Sequence, residues 1–182
     1  MYFQFGSLMN DRAGAIVVDS QDNVYVGGAW NGMGYMAPYY DAFLRKYDSD
    51  GTVIWDLQFG TSDVEDLRAI ATDSSNNVYV GGFTQGALQG SSAGMADAFF
   101  QKYSSSGSLL LSVQFGTSQM DRVDGIAVDS SGNIFVAGMS YGSLTSASIS
   151  GVFIRKYDSS GNVLSTYQYD FGSIKSFSLS SS

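Results

Sequence analysis

Apolar and polar positions along this chain group into short bursts that read as strands. Ala15-Ile16-Val17-Val18 is followed by a polar cluster, Asp19-Ser20-Gln21-Asp22-Asn23, and then by a second apolar run, Val24 to Gly28. A Gly-rich connection leads to Ala42 to Tyr47, another polar cluster at Asp48-Ser49-Asp50-Gly51 leads to Val53 to Phe59, and the pattern starts again. β-Branched and aromatic runs bounded by Asp, Asn, Ser and Gly predict strands joined by tight turns. No segment keeps a 3.6-residue period for long, so no helix is expected.

The pattern repeats three times. Gln4, Gln58, Gln114 and Gln168 recur at spacings of 54, 56 and 54. The first strand returns as Ala69 to Thr72 and Gly125 to Val128, and the second as Val78 to Gly82 and Ile134 to Gly138. The third returns as Ala98 to Tyr103 and Val152 to Tyr157, and the fourth as Leu109 to Phe115 and Val163 to Tyr169. A period of this length means one supersecondary unit reused, a solenoid turn or a propeller blade. Such a unit buries its apolar faces only against neighbouring units, so three units leave two end faces.

The type of apolar run narrows the choice. The first two strands are apolar on consecutive positions, as in Ile16-Val17-Val18 and Val24-Tyr25-Val26, the pattern of strands covered on both faces. The fourth strand alternates, with Trp55, Leu57 and Phe59 opposing Asp56 and Gln58. Burial is therefore expected to fall from the first strand of a unit to the last, as in a propeller blade. A β-helix needs shorter rungs, and a sandwich would alternate in most strands. The expected fold is all-β: three four-stranded antiparallel sheets of propeller-blade type, with an extra N-terminal strand at Tyr2 to Phe5. The whole chain, 1–182, is expected to be one repeat domain, with blades at about 7–60, 61–116 and 117–170 and a tail at 171–182. Tyr2-Phe3-Gln4 reads like a protease-tag remnant, but Gln4-Phe5-Gly6-Ser7 is in register with Gln58-Phe59-Gly60-Thr61, which favours native sequence.

Composition changes the picture mainly by exclusion. The net charge of −8 disfavours nucleic acid and anionic membranes as partners, and fits a solvated acidic surface. The 182 residues include no Cys and no His, which excludes disulfides, Cys/His metal sites, and catalysis by Cys or by a Ser-His pair. No apolar run is long enough for a membrane span, and no signal peptide opens the chain.

The units resemble the bacterial β-propeller repeats called SBBP repeats. The residues that carry the resemblance are Gly125-Ile126-Ala127-Val128-Asp129-Ser130-Ser131-Gly132-Asn133-Ile134-Phe135-Val136-Ala137-Gly138 and Phe153-Ile154-Arg155-Lys156-Tyr157-Asp158-Ser159-Ser160-Gly161-Asn162-Val163. It extends from about Gln4 to Tyr169. It implies four-stranded blades, an extracellular or cell-surface location, no enzyme activity, and a scaffold for binding. The departure is in copy number: the family name implies seven blades. Phe177-Ser178-Leu179 would be a degenerate inner strand, short of the register. The expected partners are therefore other copies of the chain or the remaining blades of a longer one. Two chains of three blades would make a six-bladed ring, in which the Tyr2 to Phe5 strand is surplus unless it adds to a neighbour's edge.

Three sets of residues are candidate sites. The Asp-rich turns resemble the start of a calcium loop, but the glutamate at its twelfth position is missing and Ser104-Ser105-Ser106-Gly107 carries no carboxylate, so they read as hairpin turns. Asp11, Glu65 and Asp121 recur before the first strand of each unit. They read as strand-end caps or partners of Arg12, Arg122 or Lys, and alternatively as a carboxylate ring holding a cation such as calcium. No other cofactor is expected. The loop after the second strand diverges between units and is aromatic in the first, with Trp30, Tyr35, Tyr39 and Tyr40; Phe83 and Tyr141 are its counterparts. Aromatic faces suit sugar rings or a protein hot spot. The Lys46, Lys102 and Lys156 column reads as an ion-pair position at the blade edge.

The function expected from these residues is a non-catalytic scaffold of a surface or secreted protein, binding or self-assembling through blade faces and variable loops. A carbohydrate-binding module using the aromatic loop is the alternative. A glycoside hydrolase or lyase fragment is the distant one, because a carboxylate pair would be needed and nothing singles one out.

Overall fold

The computed structural model describes residues 11–31 and 40–170. The expected strand at Tyr2 to Phe5, the loop residues Tyr35 and Tyr39, and the tail from 171 lie outside the described residues. Among the described residues there is no helix. There are twelve strands: β1 (Arg12–Val18), β2 (Val24–Trp30), β3 (Asp41–Tyr47), β4 (Val53–Phe59), β5 (Glu65–Thr72), β6 (Val78–Thr84), β7 (Asp97–Tyr103), β8 (Leu109–Phe115), β9 (Asp121–Val128), β10 (Ile134–Ser140), β11 (Gly151–Tyr157) and β12 (Val163–Asp170). They form three four-stranded antiparallel sheets in the orders β1-β2-β3-β4, β5-β6-β7-β8 and β9-β10-β11-β12. The chain is all-β, and each sheet is one repeat unit.

The hairpin turns follow from their side chains. Asp19 Oδ1 accepts the backbone N–H groups of Gln21 and Asn23 at 2.9 and 3.0 Å, and Asp73 and Asp129 do the same for their own turns. Each turn then needs one left-handed residue, supplied by Asp22, Asn76 and Gly132 between the first two strands and by Gly51, Gly107 and Gly161 between the last two. The candidate calcium loops are thus closed on their own backbone.

The sheets stack face to face and make two cores. Tyr25, Ala42 and Leu44 of the first sheet pack on Leu67, Val78, Val80, Phe99 and Tyr103 of the second. Tyr79, Ala98 and Phe100 of the second pack on Val123, Ile134, Val136, Phe153 and Tyr157 of the third. The junctions copy each other: Phe59 meets Phe99 edge-on at 6.0 Å, and Phe115 meets Phe153 edge-on at 5.7 Å. The alternation read in the fourth strand holds, since Trp55, Leu57 and Phe59 line the first core and Leu111, Val113 and Phe115 the second.

The expected fall in burial from first strand to last holds in the second and third sheets, where β5 and β9 are more buried than β8 and β12, but not in the first. The two middle strands of each sheet are the most buried, while β1 is largely exposed. A middle strand has a neighbour along both edges, whereas the first strand is an edge strand despite its continuous apolar run. That first strand also carries a β-bulge in every sheet, at the register shifts Ala13/Ala15, Leu67/Ala69 and Ala137/Gly138. Opposite each bulge the partner strand must approach closely: a Cβ on Gly28, Gly82 or Gly138 would collide with the carbonyl of Arg12, Asp66 or Arg122.

Candidate functional site

A cleft of about 310 Å³ opens at the junction of the first two sheets, lined by Asp11, Arg12, Ala29, Tyr40, Val64, Asp66 and Phe83. It brings together three of the candidate residues, Asp11, Tyr40 and Phe83. Backbone pairing holds the site in place, because the Glu65 N–H donates to the Tyr40 carbonyl at 2.7 Å across the junction. Trp30 is half-buried at the end of β2, paired with Asp41, and Tyr141 follows β10 on the third sheet; neither lines this cleft.

Beside the cleft runs a chain of charges that the pattern of strands did not reveal. Arg12 pairs with Asp66, Arg68 bridges Asp66 at 3.2 Å and Asp124 at 2.8 Å, and Arg122 pairs with Asp124 at 3.0 Å. Arg68 and Asp124 are the unpaired bulge residues of their strands, so the bulges aim them along the row of first strands. Arg12 was expected beside Asp11, but its partner lies on the neighbouring sheet.

The three recurrent acids are not brought into one ring. Asp11 Oδ1 accepts the Asn31 N–H at 3.0 Å. Glu65, fully buried, accepts the Thr61 N–H at 2.7 Å and the hydroxyls of Thr61 and Thr84 at 2.9 and 2.5 Å. Burial raises its pKa against these hydrogen bonds, and nearby Asp41 adds to the rise. Asp121, also fully buried, accepts the Thr117 N–H at 2.6 Å and its hydroxyl at 2.9 Å. Each acid accepts a backbone N–H from a partner of its own. Among the described residues no group of three acidic side chains could share a metal ion.

Lys46 and Lys102 of the lysine column occupy ion-pair positions inside the junctions rather than at an exposed edge. Lys46 Nζ lies 3.8 Å from Asp19 Oδ2 and Lys102 Nζ 3.7 Å from Asp73 Oδ2. Lys46, Lys102 and Lys156 each sit 5.0 Å above an aromatic ring, those of Tyr25, Tyr79 and Phe135.

The family model described as SBBP, beta-propeller repeat, matches residues 112–144. These residues resemble a beta-propeller repeat. The match starts in β8, crosses the junction and takes in β9 and β10, so it covers the turn at Asp129 and the bulge opposite Gly138. Regulatory protein FlaEY of Caulobacter vibrioides is similar, at 30% identity over 99 residues that cover 50% of this chain and 10% of that protein. The chain therefore spans about a tenth of the length of that curated relative. A solved structure of a protein of unknown function from Bacteroides caccae shares the fold, with a TM-score of 0.55 at 10% identity over 87% of this chain and 46% of that one.

Proposed function

We propose that this chain is a non-catalytic assembly scaffold whose third sheet docks a further blade, supplied by a second copy of the chain. One observation supports the reading. Leu44, Phe100 and Ile154 occupy the same register position; the first two are fully buried against the next sheet, and Ile154 is 43% exposed. Tyr167 and Tyr169, the counterparts of Leu57 and Phe59, are exposed on the same face. Ile16 and Val18 on the first sheet, counterparts of the residues that the second and third sheets turn toward their neighbours, are exposed too and offer a complementary surface. An extracellular or cell-surface location, implied by the resemblance to SBBP repeats, belongs to the same proposal. The test is mass in solution by light scattering over a range of concentrations. Assembly above 19.5 kDa that is lost in the Ile154→Asp, Tyr167→Asp double variant supports the reading. A monomer at all concentrations overturns it.

A ligand in the cleft is the second reading, supported by Tyr40 and Phe83 beside Arg12 and by one oxygen of buried Asp66 that has no hydrogen-bond partner. Aromatic faces next to polar groups suit a glycan. Binding on a glycan array that disappears with Tyr40→Ala and Phe83→Ala would support it. A signal unchanged in both variants would exclude the cleft.

A further inference from the structure

Two carboxylates meet inside the junction between the second and third sheets. Asp97 opens β7 and Asp121 opens β9, and they are 1% and 0% exposed. Both crowd the same glycine: a Cβ on Gly116 would collide with Asp97 Oδ1 and come within 2.9 Å of Asp121 Oδ2. One oxygen of each is well served. Asp97 Oδ2 accepts from the Ala93 N–H and the Gln114 amide, both at 2.8 Å, and Asp121 Oδ2 accepts from Thr117. Their other oxygens, Asp97 Oδ1 and Asp121 Oδ1, are buried and have no hydrogen-bond partner. No ion pair to either aspartate occurs among the described residues. Two adjacent buried carboxylates without a counter-charge are strongly unfavourable. Four donors address the pair: the Ala93 N–H, the Gln114 amide, and the N–H and hydroxyl of Thr117.

The equivalent junction shows how the chain otherwise resolves this crowding. There Asp41 and Glu65 flank Gly60, but Glu65 is one methylene longer and bridges Thr61 and Thr84, so both of its oxygens are partnered. Asp121 does not reach Ser140, the counterpart of Thr84, whose buried hydroxyl donates to the Gly142 carbonyl instead. The shorter acid leaves one oxygen without a partner.

We propose that Asp97 and Asp121 together bind one hard divalent cation between the second and third sheets. Two carboxylate oxygens match its charge, and its remaining positions fall to backbone oxygens, the Ser140 hydroxyl or water, as oxygen-rich calcium sites allow. A bound ion would tie the two sheets together and stabilise the folded chain by mass action. It would be a structural ion, separate from the cleft on the first junction.

The experiment uses the full chain stripped with a chelator, then titrated with calcium or magnesium chloride against sodium chloride of equal ionic strength. Calorimetry and thermal melting are read together. The expected result is one divalent ion per chain and a saturable rise in Tm that sodium does not reproduce. Asp97→Asn is expected to lose both. Asp121→Glu, which restores the reach to Ser140, is expected to melt cooperatively and lose at least tenfold in affinity. Asp41→Asn is expected to bind as the parent does. Absence of divalent binding in the stripped parent overturns the proposal, as does binding retained in Asp97→Asn. If Asp97→Asn does not melt cooperatively, Asp121→Glu decides, and parental affinity there overturns the assignment.

Discussion

Tyr25 donates its hydroxyl to Asp19 Oδ2 at 3.1 Å, linking a turn residue to the core of the first junction. The same aspartate holds the turn backbone and the Asn23 amide and lies near Lys46. Asp73 repeats the arrangement with Tyr79 at 3.0 Å and Asn77. In the third unit Phe135 replaces the tyrosine, so Asp129 loses that link and keeps the turn, the Asn133 amide and the charge of Lys156. Removing the carboxylate in the first two units strips partners from a tyrosine and a lysine as well as from the turn.

Asp19→Ala is therefore expected to cost about 3 kcal/mol, since it leaves buried donors unpaired. Asp73→Ala should cost a similar amount, and Asp129→Ala clearly less. Denaturant unfolding of the three variants at neutral pH measures the order. Equal losses would show that the tyrosine link contributes nothing.

The same network sets the response to acid. In Asp19 and Asp73 burial alone would raise the pKa, but the hydrogen bonds from Asn23 or Asn77, the turn backbone and the tyrosine outweigh it and hold the carboxyl below its ordinary value. In Asp129 and Asp158 the Asn133 and Asn162 amides lead the same lowering. A folded pKa below the unfolded one stabilises the fold above the unfolded value, near 3.8, and this is lost as pH falls through the folded value. Glu65 has the opposite sign: its raised pKa is a penalty at neutral pH that eases as pH drops below its folded value. Stability followed from pH 7 to 2 should change little, or rise slightly, down to about pH 4 and then fall steeply. In Glu65→Gln any rise on the acid side of neutrality should vanish while the fall remains.

Gly82→Ala is expected to destabilise the chain by more than about 3 kcal/mol, and Gly28→Ala and Gly138→Ala likewise. At each site the added Cβ meets a backbone carbonyl opposite the bulge, which no side-chain rotation can relieve. Gly90→Ala is not the matching control, because its φ of +79° is itself strained for alanine; Gly125→Ala, where a Cβ would meet nothing within 4 Å, is. Thermal melting of Gly82→Ala against Gly125→Ala makes the comparison.

Truncation at one register position separates inner blades from the end blade. Leu44→Ala should cost about 2–5 kcal/mol and Phe100→Ala about 3–5 kcal/mol, the usual range for fully buried side chains. Ile154→Ala should cost less than about 1 kcal/mol in dilute chain, because its side chain is half in water. If the cost of Ile154→Ala grows with protein concentration in unfolding curves, the face is covered by another copy.

How much was legible can be read from particular residues. Asp19, Asp73 and Asp129 announced their turns, because an aspartate bonding the backbone two and four residues on is a local event. Trp55, Leu57 and Phe59 announced a face, because strand alternation is local too. Arg68 and Asp124 announced nothing, since only the bulge turns them along the row of first strands. Asp41 and Asp97 recur at the repeat spacing and were open to notice, but their closeness to Glu65 and Asp121 depends on how one sheet lies on the next. The Ile16 to Val18 run misled, because apolar residues in sequence do not say whether another sheet covers the strand.

The sequence by itself determined the repeat, the strand count in each unit, the turns and the all-β class, since each rests on contacts between residues close along the chain. Only the tertiary structure decided which candidates share a site. It placed Tyr40 and Phe83 in one cleft, kept Asp121 in a different junction from Asp11 and Glu65, and set Asp97 beside Asp121. Those relationships cross from one sheet to the next, where the stacking of two faces, rather than the order of residues, sets the distance.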